Sequence, residues 1–249
     1  MPTNVTGEAR AALWLPTRKL RTLKAAAAFV DKVGFALAFP TDDVMAPSLY
    51  EAVAGPDVIP WANGMGEPES LVWTWKDALP EAGLAWAGKL LHKRASVVSP
   101  ELLTLLYPGD GEPDDHLGFP LMPEAHRIAS ALAGGALPTS ELREIVGDKG
   151  RYDRALVELQ RQLLVSSAGV REQRAGWPVV LIDLTCRLFD VGGRHDRVAV
   201  AHRYLSTVFE AKPRQLSQAF GWPLADARAA LDALVAHGKA STAEGAYRP

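Results

Sequence analysis

The sequence repeats itself, and that constrains its fold more than any other feature. Glu-Ala-His-Arg-Ile-Ala-Ser at 124–130 returns as Val-Ala-His-Arg-Tyr-Leu-Ser at 200–206. Within the first copy Ala125, Ile128, Ala129 and Leu132 fall at i, i+3, i+4 and i+7. Ala201, Tyr204, Leu205 and Val208 repeat that spacing, so both stretches predict amphipathic helices in one register. The match continues downstream. TSELREIVG (139–147) aligns with PRQLSQAFG (213–221), each closing on a glycine, and ALVELQRQLLV (155–165) aligns with ALDALVAHGKA (230–240). The offset drifts from 76 (Ala125 to Ala201) through 74 (Leu142 to Leu216) to 75 (Ala155 to Ala230). Insertions confined to turns, with the periodicity intact inside helices, mark a duplicated three-helix unit.

After the third helix of the first copy come LVSSAG and PVVLIDL, flanking a polar VREQRAGW tip, which predicts a β-hairpin. The whole pattern resembles the winged helix-turn-helix, in which the third helix enters the DNA major groove and the hairpin touches the backbone. The expected fold class is mainly α with short β-hairpins (α+β), as tandem winged helix-turn-helix domains. Breaker-rich stretches at 55–70 and 107–120 suggest the boundaries. These divide the chain into a mostly helical N-terminal domain (1–108), which may be read as a degenerate winged helix, an acidic linker (109–120), a first winged unit (121–190) and a second (191–249). The linker's GDGEPDDH lacks the spaced ligands and closing Glu of a calcium loop.

At 249 residues, 48% hydrophobic and 22% charged, the chain can bury substantial cores. Its formal charge of −2 argues against coating nucleic acid through bulk positive charge, so binding must come from local patches. One cysteine, Cys186, leaves no intrachain disulfide and no multi-cysteine zinc site. There is no apolar leader and no run approaching the roughly 18 residues of a membrane span. A cytoplasmic protein without metal or cofactor, and without membrane contact, is expected.

The two third helices differ where it matters for a polyanion. Positions 151, 154, 158 and 161 form one stripe and read Arg, Arg, Glu, Arg; positions 226, 229, 233 and 236 read Asp, Ala, Ala, Ala. Guanidinium groups neutralise phosphate and bind guanine bidentately. The expected double-stranded DNA contacts are therefore Lys149, Arg151, Arg154 and Arg161 on the helix, with Arg171 and Arg174 on the wing tip. The competing reading is a solvated face paired internally, Arg154 with Glu158 and Glu158 with Arg161. The Ala-rich stripe of the second unit suggests packing on another element or a partner, so protein association or self-association is expected there.

His126 and His202 stand beside apolar stripes without ligand-spaced companions and read as structural. Asp196 reads as the N-cap of a helix from Arg197, and Ser99 with Pro100 as the start of another. Pro16 and Thr17 are predicted to open a helix through Val33, with Arg18, Arg21 and Lys24 on its first turns. Cations there oppose the helix dipole and suit either an anionic partner or an ordinary surface helix. LVWTWKD (71–77) alternates and reads as a half-buried strand or core aromatics rather than a base-stacking platform.

Tandem winged units preceded by GFALAFPTDD (34–43) resemble the bacterial AlkZ/YcaQ group of winged-helix DNA glycosylases, which unhook interstrand crosslinks. The resemblance implies a glycine-ended helix, then a strand-like Gln-x-Gln or Gln-x-Asp followed by proline, whose polar side chains position the attacking water. Gly34 and Pro40 keep that frame, but Leu37 and Phe39 occupy the two polar positions, and neither orients water or accepts a proton. The group's C-terminal β-barrel has no expected counterpart. A DNA-binding relative without catalysis, linked to DNA repair, is the expectation. The alternatives are a glycosylase for alkylated or crosslinked bases using a displaced carboxylate, Asp42 or Asp43, and a transcription regulator or protein-interaction scaffold. On the non-catalytic reading Asp42 or Asp43 caps a helix near Pro47 or solvates a loop.

Overall fold

The computed structural model describes residues 13–173 and 178–249. Its N-terminal part is built on the same plan as the sequence repeat. Helix α1 (Leu23–Val33) leads into strand β1 (Phe35–Leu37), helices α2 (Leu49–Ala54) and α3 (Glu67–Glu81), and the hairpin β2 (Trp86–Lys89) and β3 (Ala95–Val98). The three strands lie antiparallel in the order β1-β3-β2. After α4 (Pro100–Leu106) the order recurs as α5 (Pro123–Leu132), β4 (Leu137–Pro138), α6 (Thr139–Val146), α7 (Lys149–Arg161), β5 (Val165–Arg171) and β6 (Val179–Leu184), with sheet order β4-β6-β5. A short α8 (Thr185–Leu188) connects to α9 (Arg197–Val208), α10 (Pro213–Phe220), α11 (Leu224–Ala236) and the hairpin β7 (Ser241–Ala243) and β8 (Ala246–Arg248). There a single bridge, Ala211 to Tyr247, stands for the first strand. The chain is mixed α+β, and among the described residues the winged-helix order of elements occurs three times.

Local chemistry explains the boundaries. Helix α1 starts later than its composition suggests: Thr22 Oγ1 accepts from Ala25 N at 3.2 Å, so Thr22 is the N-cap and residues 16–21 are irregular. Arg18 and Arg21 therefore precede the helix, and only Lys24 lies in its first turn. Ser48, not Asp42 or Asp43, caps α2. The LVWTWKD stretch is helical. Pro68 sits in the first turn of α3, and Glu69 accepts from Gly66 N (3.0 Å), Trp61 N (3.2 Å) and Tyr50 Oη (2.7 Å), so one carboxylate fixes both the helix start and the preceding loop. Trp75 is buried while Trp73 is half exposed beneath the Lys76 ammonium, 4.7 Å from its ring centroid. Asp196 and Ser99 cap α9 and α4 as their spacing predicts.

One hydrophobic core runs through all three units, and the first unit holds a second of its own around Phe29, Val30, Tyr50 and Trp75. Phe35 of the first stacks on Tyr204 of the third at 5.5 Å and meets Phe220 edge-on at 6.1 Å. Arg203 donates to the carbonyls of Asp31 and Lys32 at 2.7 Å, and Thr207 Oγ1 to that of Val33 at 2.9 Å, closing the C-terminus of α1. Gly34, at φ +81°, leaves room for that arginine, which a Cβ would strike. The seam between the first two units carries a row of paired polar groups. Ser166 exchanges hydrogen bonds with Ala87 N and O (3.1 and 3.0 Å), Ser167 donates to Asp77 (2.9 Å), Lys89 N donates to Gln160 (3.0 Å), and Trp86 Nε1 donates to Thr185 (3.2 Å).

Most of the acidic stretch 109–120 is exposed, Asp110, Glu112 and Asp114 included, but Asp115 and His116 anchor it to the protein. Asp115 accepts from Tyr107 Oη (2.7 Å) and from Asp110 N and Gly111 N (both 3.0 Å). Burial, reinforced by that carboxylate, pushes the Tyr107 phenol far above its ordinary value.

Candidate nucleic-acid interface

Helix α7 presents the cations. Asp148 caps it by accepting from Arg151 N at 2.7 Å, and Tyr152, Ala155 and Leu159 bury one stripe. That leaves Lys149, Arg151 and Arg154 exposed on the first turns, Arg151 and Arg154 one turn apart on the same side and Lys149 on another side of the helix. Among the described residues, Lys149 and Arg154 have no acidic partner. Arg151 does: its Nη1 lies 3.1 Å from Glu124 Oε1, although its side chain stays 61% exposed. Hydrogen bonding to its own backbone amide, then the Arg151 guanidinium, holds the Glu124 carboxyl below the usual carboxylate range.

Two expectations for this helix need correction. Glu158 pairs with neither Arg154 nor Arg161; its Oε2 accepts from Met122 N at 3.0 Å, at the start of α5. Arg161 leaves the row altogether. Its Nη1 donates to the Leu90 carbonyl at 2.5 Å and to the Gln218 carbonyl at 3.4 Å, joining the first hairpin to helix α10. Burial lowers its pKa, and its guanidinium fills the space beside Gly221, whose φ of +76° ends α10. It is an arginine of the three-way junction, not a groove contact.

The remaining expected contacts are scattered. Arg171 is exposed at the end of β5, in the same unit as α7, while Arg174 lies outside the described residues. Arg18, Arg21 and Lys24 are exposed in the first unit, and Arg21 Nη1 pairs with Glu67 Oε1 at 3.1 Å. The first hairpin adds exposed Lys89, Lys93 and Arg94, which sequence reading left unassigned although the His-Lys-Arg run at 92–94 was visible. Their place on a hairpin depends on the pairing of β2 with β3, which the residues 95–98 alone do not disclose. The Ala229 and Ala236 positions of α11 are exposed and Ala233 is partly so, with no cover from the described residues.

The end of β1 is apolar. Leu37 is 0% exposed, and Phe39 packs against Tyr50 (5.5 Å) and Trp61 (5.0 Å between ring centroids). Asp42 and Asp43 sit in an exposed turn; Asp43 Oδ2 is 3.3 Å from Arg94 Nη2. Next to it, burial pushes the His92 imidazole below its ordinary 6.5, with Asp43 pulling the other way and Arg161 and Arg94 adding to the fall. Burial also lowers His195. An imidazole held neutral in the fold stabilises fully above the unfolded value near 6.5 and loses that contribution as pH falls through its folded pKa. We expect the unfolding free energy from urea titration to fall between pH 7 and 5.5, by about a few tenths of a kcal/mol per histidine after solvent screening. The His92→Gln, His195→Gln double variant should flatten that slope; an unchanged slope rules the histidines out as its source.

Among the described residues no group of His, Cys, Asp and Glu could hold a metal ion, and no helix is long and apolar enough to cross a membrane.

Comparison with known proteins bears on this geometry. A family model described as AlkZ related matches residues 20–213. No curated protein matches. Among solved structures, the Streptomyces sahachiroi DNA glycosylase AlkZ is similar in fold, with a TM-score of 0.50 and 14% sequence identity. The alignment covers 90% of this chain but 63% of that one, so the chain spans less than two thirds of that protein's length.

Proposed function

Because the chain belongs to the AlkZ-related family, we propose that it binds duplex DNA in DNA repair and does so without hydrolysing the glycosidic bond. One observation carries the binding: Lys149 and Arg154 stand exposed, without acidic partners among the described residues, on the first turns of a winged-helix third helix. The family resemblance and a fold similar to a protein named a DNA glycosylase support the setting. The reading without hydrolysis is supported by the apolar residues at and just after β1, Leu37 in the core and Phe39 in an aromatic cluster.

A glycosylase working through Asp42 or Asp43 is the second reading, favoured by the exposed turn that carries both carboxylates beside Pro40. A base-release assay on alkylated and crosslinked duplexes, run beside a salt titration of duplex binding with the purified chain, separates the readings. We expect binding in the non-specific range, a Kd of roughly 10⁻⁴ to 10⁻⁶ M, and no base release above buffer. Release that disappears in Asp42→Asn or Asp43→Asn would establish the glycosylase instead. No duplex affinity at moderate salt would leave a regulator acting through other contacts or a protein scaffold, with the exposed Ala229 and Ala236 face as its surface.

A further inference from the structure

The repeated Ala-His-Arg-x-x-Ser places a histidine and a serine four residues apart on one face of α5 and again on α9. The two copies use that face differently. On α5 the chain covers it with its own ring. His116, in the turn Asp115–Gly118, is 5% exposed; its Nε2 lies 3.1 Å from Ser130 Oγ and its ring centroid 5.9 Å from that of His126. On α9 no such ring arrives from the described residues. The residue 76 places after His116 is Gly192, and its segment is drawn towards the preceding turn, where Gly193 N donates to the Gly109 carbonyl at 3.2 Å. What remains is a cavity of about 620 Å³ between α4, α9 and the end of α11, within the size range of small-molecule sites.

His202 and Ser206 both line this cavity, over an apolar floor that includes Leu102, Leu105 and Leu234. No hydrogen bond among the described residues engages either polar side chain. Glu101 and Asp196 balance Arg203 and Lys239 in the lining, so its formal charges cancel and nothing there selects a polyanion. Asp196 and Arg203 are moreover already spent on backbone groups.

We propose that this cavity binds a planar nitrogen heterocycle of nucleobase size, held as the chain holds its own His116: ring against His202, ring nitrogen hydrogen-bonded to Ser206. The α5 unit is the self-liganded version of the site and the α9 unit the open one. This inference is independent of the DNA surface on α7.

Purine is a suitable probe. Titrated into the full chain and followed by proton NMR of the histidine rings, it should shift His202 saturably. Ser206→Ala should weaken binding about five-fold, the worth of one neutral hydrogen bond, and Ala199→Trp, which fills the cavity from its partly exposed wall, should abolish it. If Ala199→Trp lowers the thermal midpoint, Ser206→Ala decides alone. The reciprocal experiment uses the closed site: His116→Ala should leave a vacancy that added imidazole fills, raising the thermal midpoint of the variant but not of the parent protein. No saturable shift of His202, or purine binding unchanged by Ser206→Ala, overturns the proposal.

Discussion

Arg161→Ala is expected to destabilise the chain by about 2–4 kcal/mol, more than any other single change at a charged position of α7. The side chain donates to the Leu90 and Gln218 carbonyls, which belong to two different units, so its loss removes a link between them and leaves the partly buried Leu90 carbonyl without this donor. Alanine also removes the guanidinium from the space beside Gly221. Arg161→Lys should recover only part of the loss, because one ammonium cannot span both carbonyls in the planar geometry. Chemical denaturation followed by tryptophan fluorescence measures this. A loss below about 0.5 kcal/mol would show that the junction does not depend on Arg161.

The double variant Lys149→Ala, Arg154→Ala should lose roughly 50-fold in duplex affinity at about 0.1 M salt and lower the steepness of log K against log salt by about 1.8, the expectation for two released counterion sites. Its fold should be untouched, since both side chains are exposed and unpaired among the described residues. Arg151→Ala should cost less, because that guanidinium must first leave Glu124 at 3.1 Å before it can meet a phosphate. Fluorescence anisotropy with a labelled duplex gives both numbers. Equal slopes for parent and double variant would remove α7 from the interface while leaving the fold assignment intact.

The second and third units were legible because their helix-turn-helix turns are short and alike, so the 3.6-residue rhythm survives from one copy to the next. The first was hidden by the long loop 55–66 between α2 and α3, which destroys the spacing, and by Trp73 and Trp75, whose alternation imitates a strand. The decisive signal was the Gly-Glu-Pro-Glu at 66–69: proline in the first turn and a carboxylate returning to Gly66 N. Arg161 departs from its expected place for a different reason. Periodicity identifies the outward face of an isolated unit; it says nothing about which neighbour docks on that face. The first hairpin and α10 cover the C-terminal end of α7, and the opening turns stay bare. Capping residues such as Asp196 and Ser99 were readable because their chemistry is local.

If the chain meets a duplex as proposed, the paired seam between the first two units bears on which partner changes shape. With Ser166, Ser167, Gln160 and Thr185 each hydrogen-bonded across it, the unit-to-unit spacing is a fixed template with little left to rearrange. A double helix that meets such a template has to supply the deformation itself. Preference should then follow elastic softness, with nicked, mismatched or gapped stretches favoured over intact ones for the bending they save rather than for any base edge they display.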